Sequence, residues 1–185
     1  AAVDQRITTA RDAIREIQVK VRESSPHYAG LTAPKPLIIK DIQENILDDE
    51  TVLLEYQLGD TNSYLWAVSK SGFNAYKLPA RKVIETQSRL MYDLITAKPG
   101  SRMSVKKTDI ALRSESQKLS NMILGPASSV IGKKRLVVVA DGVLHYIPLA
   151  MLPAPSKGKL AVDAKPLLLD REIVNLPSAS VLGVL

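Results

Sequence analysis

The chain has no cysteine, only two histidines, one tryptophan and one phenylalanine among 185 residues. Without a thiol there is no disulfide, no thiolate nucleophile and no cysteine-bound metal. His27 and His145 are too few for a multi-histidine metal centre. No apolar run approaches the ~20 residues that cross a bilayer as a helix. The opening AAVDQR lacks the basic and apolar regions of a signal peptide, and the expected location is cytoplasmic. The patterns GxxxxGK[ST], GxGxxG and GxSxG are also missing, so neither nucleotide binding nor a serine hydrolase elbow has a motif behind it. No zinc-finger or RNP pattern occurs and no internal repeat is visible. The expectation is no cofactor, no metal and no membrane partner.

What is present is a folded-domain pattern. Leu136, Val137, Val138, Val139 and Ala140 form an unbroken apolar run that meets Asp141-Gly142. Such a run without polar alternation predicts a strand covered on both faces, as in a parallel sheet flanked by helices. Asp-Gly supplies the sharp turn, and Val143 to Leu152 folds back beneath the sheet with Pro148 at a first helical position. Open α/β sheets place their chemistry beyond the carboxyl ends of these strands.

Upstream, Val3, Ile7, Ala10, Ile14, Ile17 and Val21 recur at spacings of 4 and 3, an a/d stripe over residues 2–22. This helix is expected to pack on the domain or on a preceding helix, with a dimerising coiled coil as the sharper alternative. Residues 23–30 read as a loop, and Ile38, Ile39, Ile42 and Ile46 as a short amphipathic helix or turn. Strands are expected at 51–58, 63–69 and 73–78, with short connections that imply antiparallel neighbours. Tyr56, Tyr64 and Trp66 are expected as cross-strand core rather than as a surface cluster. Helices follow at 79–97 and 109–124, the second with Asp109 in or before its first turn. Residues 153–165 form a polar loop, and Leu167–Leu169 with Glu172–Val174 a short strand or a hairpin about Asp170-Arg171. The organisation expected is an N-terminal helix and linker over 1–30, then an α/β domain over 31–185.

Charge is unevenly distributed. Residues 1–96 carry net −1, residues 97–135 net +7 and residues 136–185 net 0. The basic segment includes Lys106, Lys107, Lys133, Lys134 and Arg135. A nucleic-acid or acidic-partner surface is the sharp reading and a solvated helix face the plain one. No aromatics interleave with these cations, so a stacking platform for single strands is not indicated.

Three segments together carry a family resemblance. Residues 135–152, RLVVVADGVLHYIPLAML, resemble the core strand, DG turn and aromatic-Ile-Pro of the CHAT domain, a caspase-like cysteine peptidase family in the clan of caspases and separases. Residues 51–66, TVLLEYQLGDTNSYLW, resemble its entry hairpin, and residues 170–182, DREIVNLPSASVL, its following strand and Pro-Ser-Ala-Ser turn. The resemblance spans about residues 36–185. It implies a caspase-like sheet with flanking helices, plus a small antiparallel strand subdomain, often preceded by helical repeats. It also implies a His-Cys dyad located further along the chain than the Pro-Ser-Ala-Ser turn.

No cysteine is present to serve such a dyad, so the segment resembles the N-terminal part of the domain alone. The apolar ending Ser180–Leu185 reads as a boundary or cleavage point rather than a natural terminus. His145, beside the DG turn, does not match the position of the family's histidine and is read as structural or superficial. A Ser-His-Asp alternative would recruit Asp141 and a serine from the 178–180 turn, with no elbow motif to support it. No catalytic, cofactor-binding or metal-binding residue is therefore assigned. The function expected is the framework part of a cysteine peptidase, acting on peptide or protein only with the missing part. The alternative is a non-catalytic interaction module that contacts helical repeats or the remainder of the domain. A basic nucleic-acid surface over 97–135 ranks third.

Overall fold

A computed structural model describes residues 2–25, 36–97, 105–156 and 164–183. His27, the 30/31 boundary and Lys157-Gly158-Lys159 lie outside the described residues. The elements are α1 (Ala2–Ser24), α2 (Ile39–Asn45), β1 (Thr51–Gln57), β2 (Ser63–Ser69), β3 (Gly72–Leu78), α3 (Arg81–Thr96), α4 (Val105–Ile123), α5 (Ser128–Ile131), β4 (Arg135–Val139), β5 (Ile173–Leu176) and α6 (Ala179–Leu182). Short 3₁₀ turns occupy Gly142–Tyr146, Leu149–Met151 and Leu167–Leu169.

The five strands join in one mixed sheet of order β3-β2-β1-β4-β5. β1, β2 and β3 run antiparallel to their neighbours, and β1, β4 and β5 run parallel. The fold is therefore α/β, and the antiparallel strands are the flank of the same sheet that holds the buried parallel strand. Alternation sorts the side chains. Val52, Leu54, Tyr56, Leu65, Ala67, Leu136 and Val138 face one core with Ile84 and Met91 of α3 and Leu119 and Ile123 of α4. Leu53, Val68, Val137 and Val139 face a smaller core closed by Ile42 of α2, Leu47 and Ala179 of α6. β4 is thus apolar from Leu136 to Val139, where both of its faces are covered.

Several local expectations change. α4 begins at Val105, not at Asp109, and Asp109 instead accepts a hydrogen bond from Arg113 Nε at 3.0 Å, an i,i+4 pair within the helix. Pro148 precedes the 3₁₀ turn Leu149–Met151 rather than opening it. No hairpin forms about Asp170-Arg171, because Leu167–Leu169 is a 3₁₀ turn and β5 pairs in parallel with β4. Tyr56 does not share a face with Tyr64 and Trp66: it is buried among the helices, where its hydroxyl donates to Ile123 C=O at 3.1 Å and burial pushes its phenol well above the usual range. The expected packing of α1 is not found among the described residues, where its stripe is exposed.

Candidate functional site

The carboxyl ends of β1, β4 and β5 lie along one edge of the sheet, since the three strands are parallel. Beyond them come Leu58-Gly59, Asp141-Gly142 and Pro177-Ser178. Asp141 is extended (φ −131°, ψ 145°) and half-buried. Its carboxylate Oδ2 accepts the Leu58 N–H at 2.7 Å, and its own carbonyl accepts the Leu144 N–H at 3.1 Å. One residue therefore ties the exit of β1 to the exit of β4 through its side chain and starts the 3₁₀ turn through its carbonyl.

Gly142 has φ +55°, a left-handed conformation that costs an L side chain. A Cβ there would also meet Leu58 Cδ1 at 3.3 Å. On the opposite side of Leu58, Arg81 Nη2 donates to the Leu58 C=O. The Arg81 N–H donates to Gly59 C=O at 2.8 Å, and its Nε lies 3.6 Å from Asp60 Oδ1. The first turn of α3 is thereby anchored on the β1 exit. The peptide groups of Leu58 are held between Asp141 and Arg81.

Beside this edge, Ser88, Arg89 and Tyr92 of α3 and Val143, Tyr146 and Ile147 of the turn line a hollow of about 250 Å³. Tyr92 and Tyr146 are exposed walls. Ser88 Oγ is buried without a hydrogen-bond partner among the described residues.

His145 is exposed on the turn. Asp141 is engaged with Leu58, and Ser180 Oγ accepts the Leu37 N–H at 3.3 Å. The residues of the Ser-His-Asp alternative thus lie near one sheet edge but have different partners and form no relay among the described residues. No group of three metal-ligating side chains occurs among the described residues, and no described helix is long and apolar enough to cross a membrane. Arg81 and Leu58 were not recoverable from sequence, because nothing local announces that a helix's first arginine will bind a strand exit.

Three cations of the basic segment, Arg113, Lys118 and Arg135, have carboxylate partners. Lys118 Nζ lies 2.7 Å from Glu115 Oε1, and Arg135 pairs with Glu172 at 2.7 Å and Asp48 at 3.5 Å. Hydrogen bonds from Lys118 and Gln87 hold the Glu115 carboxyl below the usual range. A bond from Thr51, the nearby backbone and Arg135 do the same for Asp48.

Residues 113–185 match the family model of the CHAT domain, which covers most of α4, then β4, the Asp141-Gly142 turn and β5. The match is narrower than the resemblance read from residue 36 onward. No curated protein matches the chain.

Proposed function

Taking the CHAT-domain match over residues 113–185 as premise, we propose that this chain is the framework part of a CHAT-type, caspase-like cysteine peptidase. In this reading β1, β4 and β5 set the carboxyl edge of the sheet, and a His-Cys dyad comes from outside these 185 residues. The chain cannot supply the nucleophile, having no cysteine. The reaction is peptide-bond hydrolysis: histidine takes the thiol proton, the thiolate attacks the carbonyl carbon, and an oxyanion hole stabilises the tetrahedral intermediate. The substrate is a peptide or protein, the setting cytoplasmic, and no membrane is involved. The observation that carries the reading is that the matched segment contains Asp141, whose bond to Leu58 outside the match ties two parallel strand ends where the chemistry of such sheets lies.

The test uses a peptide-based electrophile that labels activated cysteines. It is applied to the 185-residue chain and to any longer polypeptide in which this chain is the N-terminal part of the domain, the parent of this reading. Labelling of the parent, none of the chain, and loss of labelling after thiol alkylation are the expected results. A folded parent that is neither labelled nor able to cleave peptides removes the peptidase reading. The second reading, a non-catalytic interaction module, would then stand first, favoured by the exposed apolar stripe of α1. A nucleic-acid surface ranks below both, because Arg113, Lys118 and Arg135 already have carboxylate partners.

A further inference from the structure

Two surfaces carry apolar side chains that have no cover among the described residues. On α1, Val3, Ile7, Ile14 and Ile17 are 66%, 46%, 56% and 60% exposed along one stripe. On the sheet, α2 and α6 close the second face only over Leu53, Val68, Val137 and Val139. The register places Glu55 and Gln57 of β1, Tyr64 and Trp66 of β2, and Phe73, Ala75 and Lys77 of β3 on the remainder of that face. Tyr64 and Phe73 are 40% and 45% exposed. Aromatic rings side by side on a bare sheet are unusual for a surface with no occupant.

The charges beside the helix stripe argue against self-pairing. With Ile7, Ile14 and Val21 at a and Val3, Ala10 and Ile17 at d, the e positions are Asp4, Arg11 and Gln18 and the g positions Arg6, Ala13 and Lys20, so one acidic residue stands against three basic ones. A parallel pair of α1 helices would set Arg6 against Arg11. An antiparallel pair overlapping over its whole length would set Arg11 against Arg11 and Arg6 against Lys20, and a shift that sets Asp4 against Arg11 gives up a heptad of apolar contact. Like charges at these positions oppose either dimer. The stripe instead suits an apolar surface that carries a carboxylate.

The bare sheet face has that carboxylate. Glu55 is half-buried with no hydrogen-bond or ion-pair partner among the described residues, and desolvation pushes its carboxyl above the usual range. The route is also short. Fourteen residues, 25–38, separate α1 from α2, enough to span about 46–50 Å when extended, whereas β1 to β3 is only about 10 Å wide. α2 already sits on this face: Gln43 Nε2 donates to Ser69 C=O at 2.8 Å and to Gly72 C=O at 3.2 Å, at the β2–β3 turn.

We propose that α1 docks in cis on the bare face of β1–β3, its isoleucine stripe over Tyr64, Trp66 and Phe73 and a flanking arginine against Glu55. The docked helix extends over β1–β3 the layer that α2 and α6 begin on this side, and the proposal is independent of the peptidase reading.

Trp66 is the only tryptophan in the chain, so its fluorescence reads the state of this face directly. The measurement is acrylamide quenching of the full 185-residue chain, compared with Ile14→Asp and with the conservative Ile14→Leu. Docking predicts a Stern–Volmer constant at least about threefold higher for Ile14→Asp, a red-shifted emission maximum, and an unchanged constant for Ile14→Leu. Far-UV circular dichroism verifies that the sheet stays folded, which is expected because neither of the sheet's two cores contains a residue of α1. Equal quenching in wild type and Ile14→Asp overturns the proposal. A wild-type constant that is the same from about 0.5 to 50 μM supports docking in cis. A constant that rises on dilution shows helices exchanged between two copies and overturns it.

Discussion

Both backbone polar groups of Leu58 are satisfied by side chains from other elements, Asp141 accepting from its N–H and Arg81 donating to its C=O. A half-buried N–H bonded to a carboxylate is a strong pairing that is costly to break. Asp141→Ala is therefore expected to lower unfolding free energy by about 1.5–3 kcal/mol. Gly142→Ala should lower it by about 1–2 kcal/mol through the left-handed φ, with crowding against Leu58 in addition. Urea titration followed by circular dichroism measures both, and values within error of wild type would mean that the tie does not hold in solution. Glu115 offers a pH test. Its carboxyl is held below the ordinary 4.5 by hydrogen bonds from Lys118 and Gln87. The folded state therefore keeps the charge at pH values where the unfolded state has lost it. The stabilisation is complete above about 4.5 and is lost as pH falls through the lower folded value. Glu115→Gln should flatten the stability profile below pH 4.5, at a cost of no more than about 1 kcal/mol near neutrality. A variant whose acid limb follows that of wild type would exclude this pairing.

Among elements, the basic stretch around α4, α5 and the start of β4 shows how a charge count loses meaning once partners are known. Arg113, Lys118 and Arg135 are paired, while Lys133 and Lys134 have no ion pair among the described residues. Duplex DNA should bind no tighter than the nonspecific range of about 10⁻⁴ M at physiological salt. A steep salt dependence that collapses when Lys133 and Lys134 become alanine would contradict this, and electrophoretic mobility shift across salt concentrations decides it. The same contrast governs what could be read in advance. β4 was legible because five apolar residues in a row admit few other environments, and β1–β3 because tight turns fix antiparallel pairing locally. The start of α4 was not, since Asp109 suits a first helical turn and an i,i+4 pair with Arg113 equally well. β5 was left open as a short strand or part of a hairpin, and the strand is what forms; its pairing could not be read because its partner, β4, is more than thirty residues away and no local pattern encodes parallel pairing. The split of Tyr56 from Tyr64 and Trp66 depends on strand register, which composition does not carry. The Asp141–Leu58–Arg81 arrangement was half legible: the DG turn marked one member, and the other two emerge only from packing.

At the scale of the whole molecule, β3 and β5 are the sheet's two borders, and they differ in what they offer. β3 is exposed at Phe73, Asn74 and Ala75 and is followed at once by α3, whereas β5 is short, parallel and half-buried at Ile173, Val174 and Leu176. Leu136 N–H donates to Glu172 C=O at 3.0 Å, and Leu136 stands opposite Ile173. In a parallel ladder that register turns Glu172, Val174 and Leu176 toward β4, and leaves the N–H and C=O of Ile173 and Asn175 facing outward. An open edge of this kind recruits another strand. If the chain is the framework of a larger domain, the next strand belongs here; in isolation the same edge drives association. Asn175→Pro separates the two sides of β5. It removes an outward donor, keeps the bonds to β4 and holds an extended φ that an edge strand tolerates. The isolated chain should keep its urea midpoint to within about 1 kcal/mol of stability while its concentration-dependent association, read by light scattering, falls. In the intact parent the same substitution should abolish cysteine labelling by the peptide electrophile, since the strand that follows would lose its template. Undiminished association of the proline variant would assign self-contact to another surface, such as the aromatic face around Trp66. A parent that remains fully labelled would show that the catalytic part does not add to the sheet at β5.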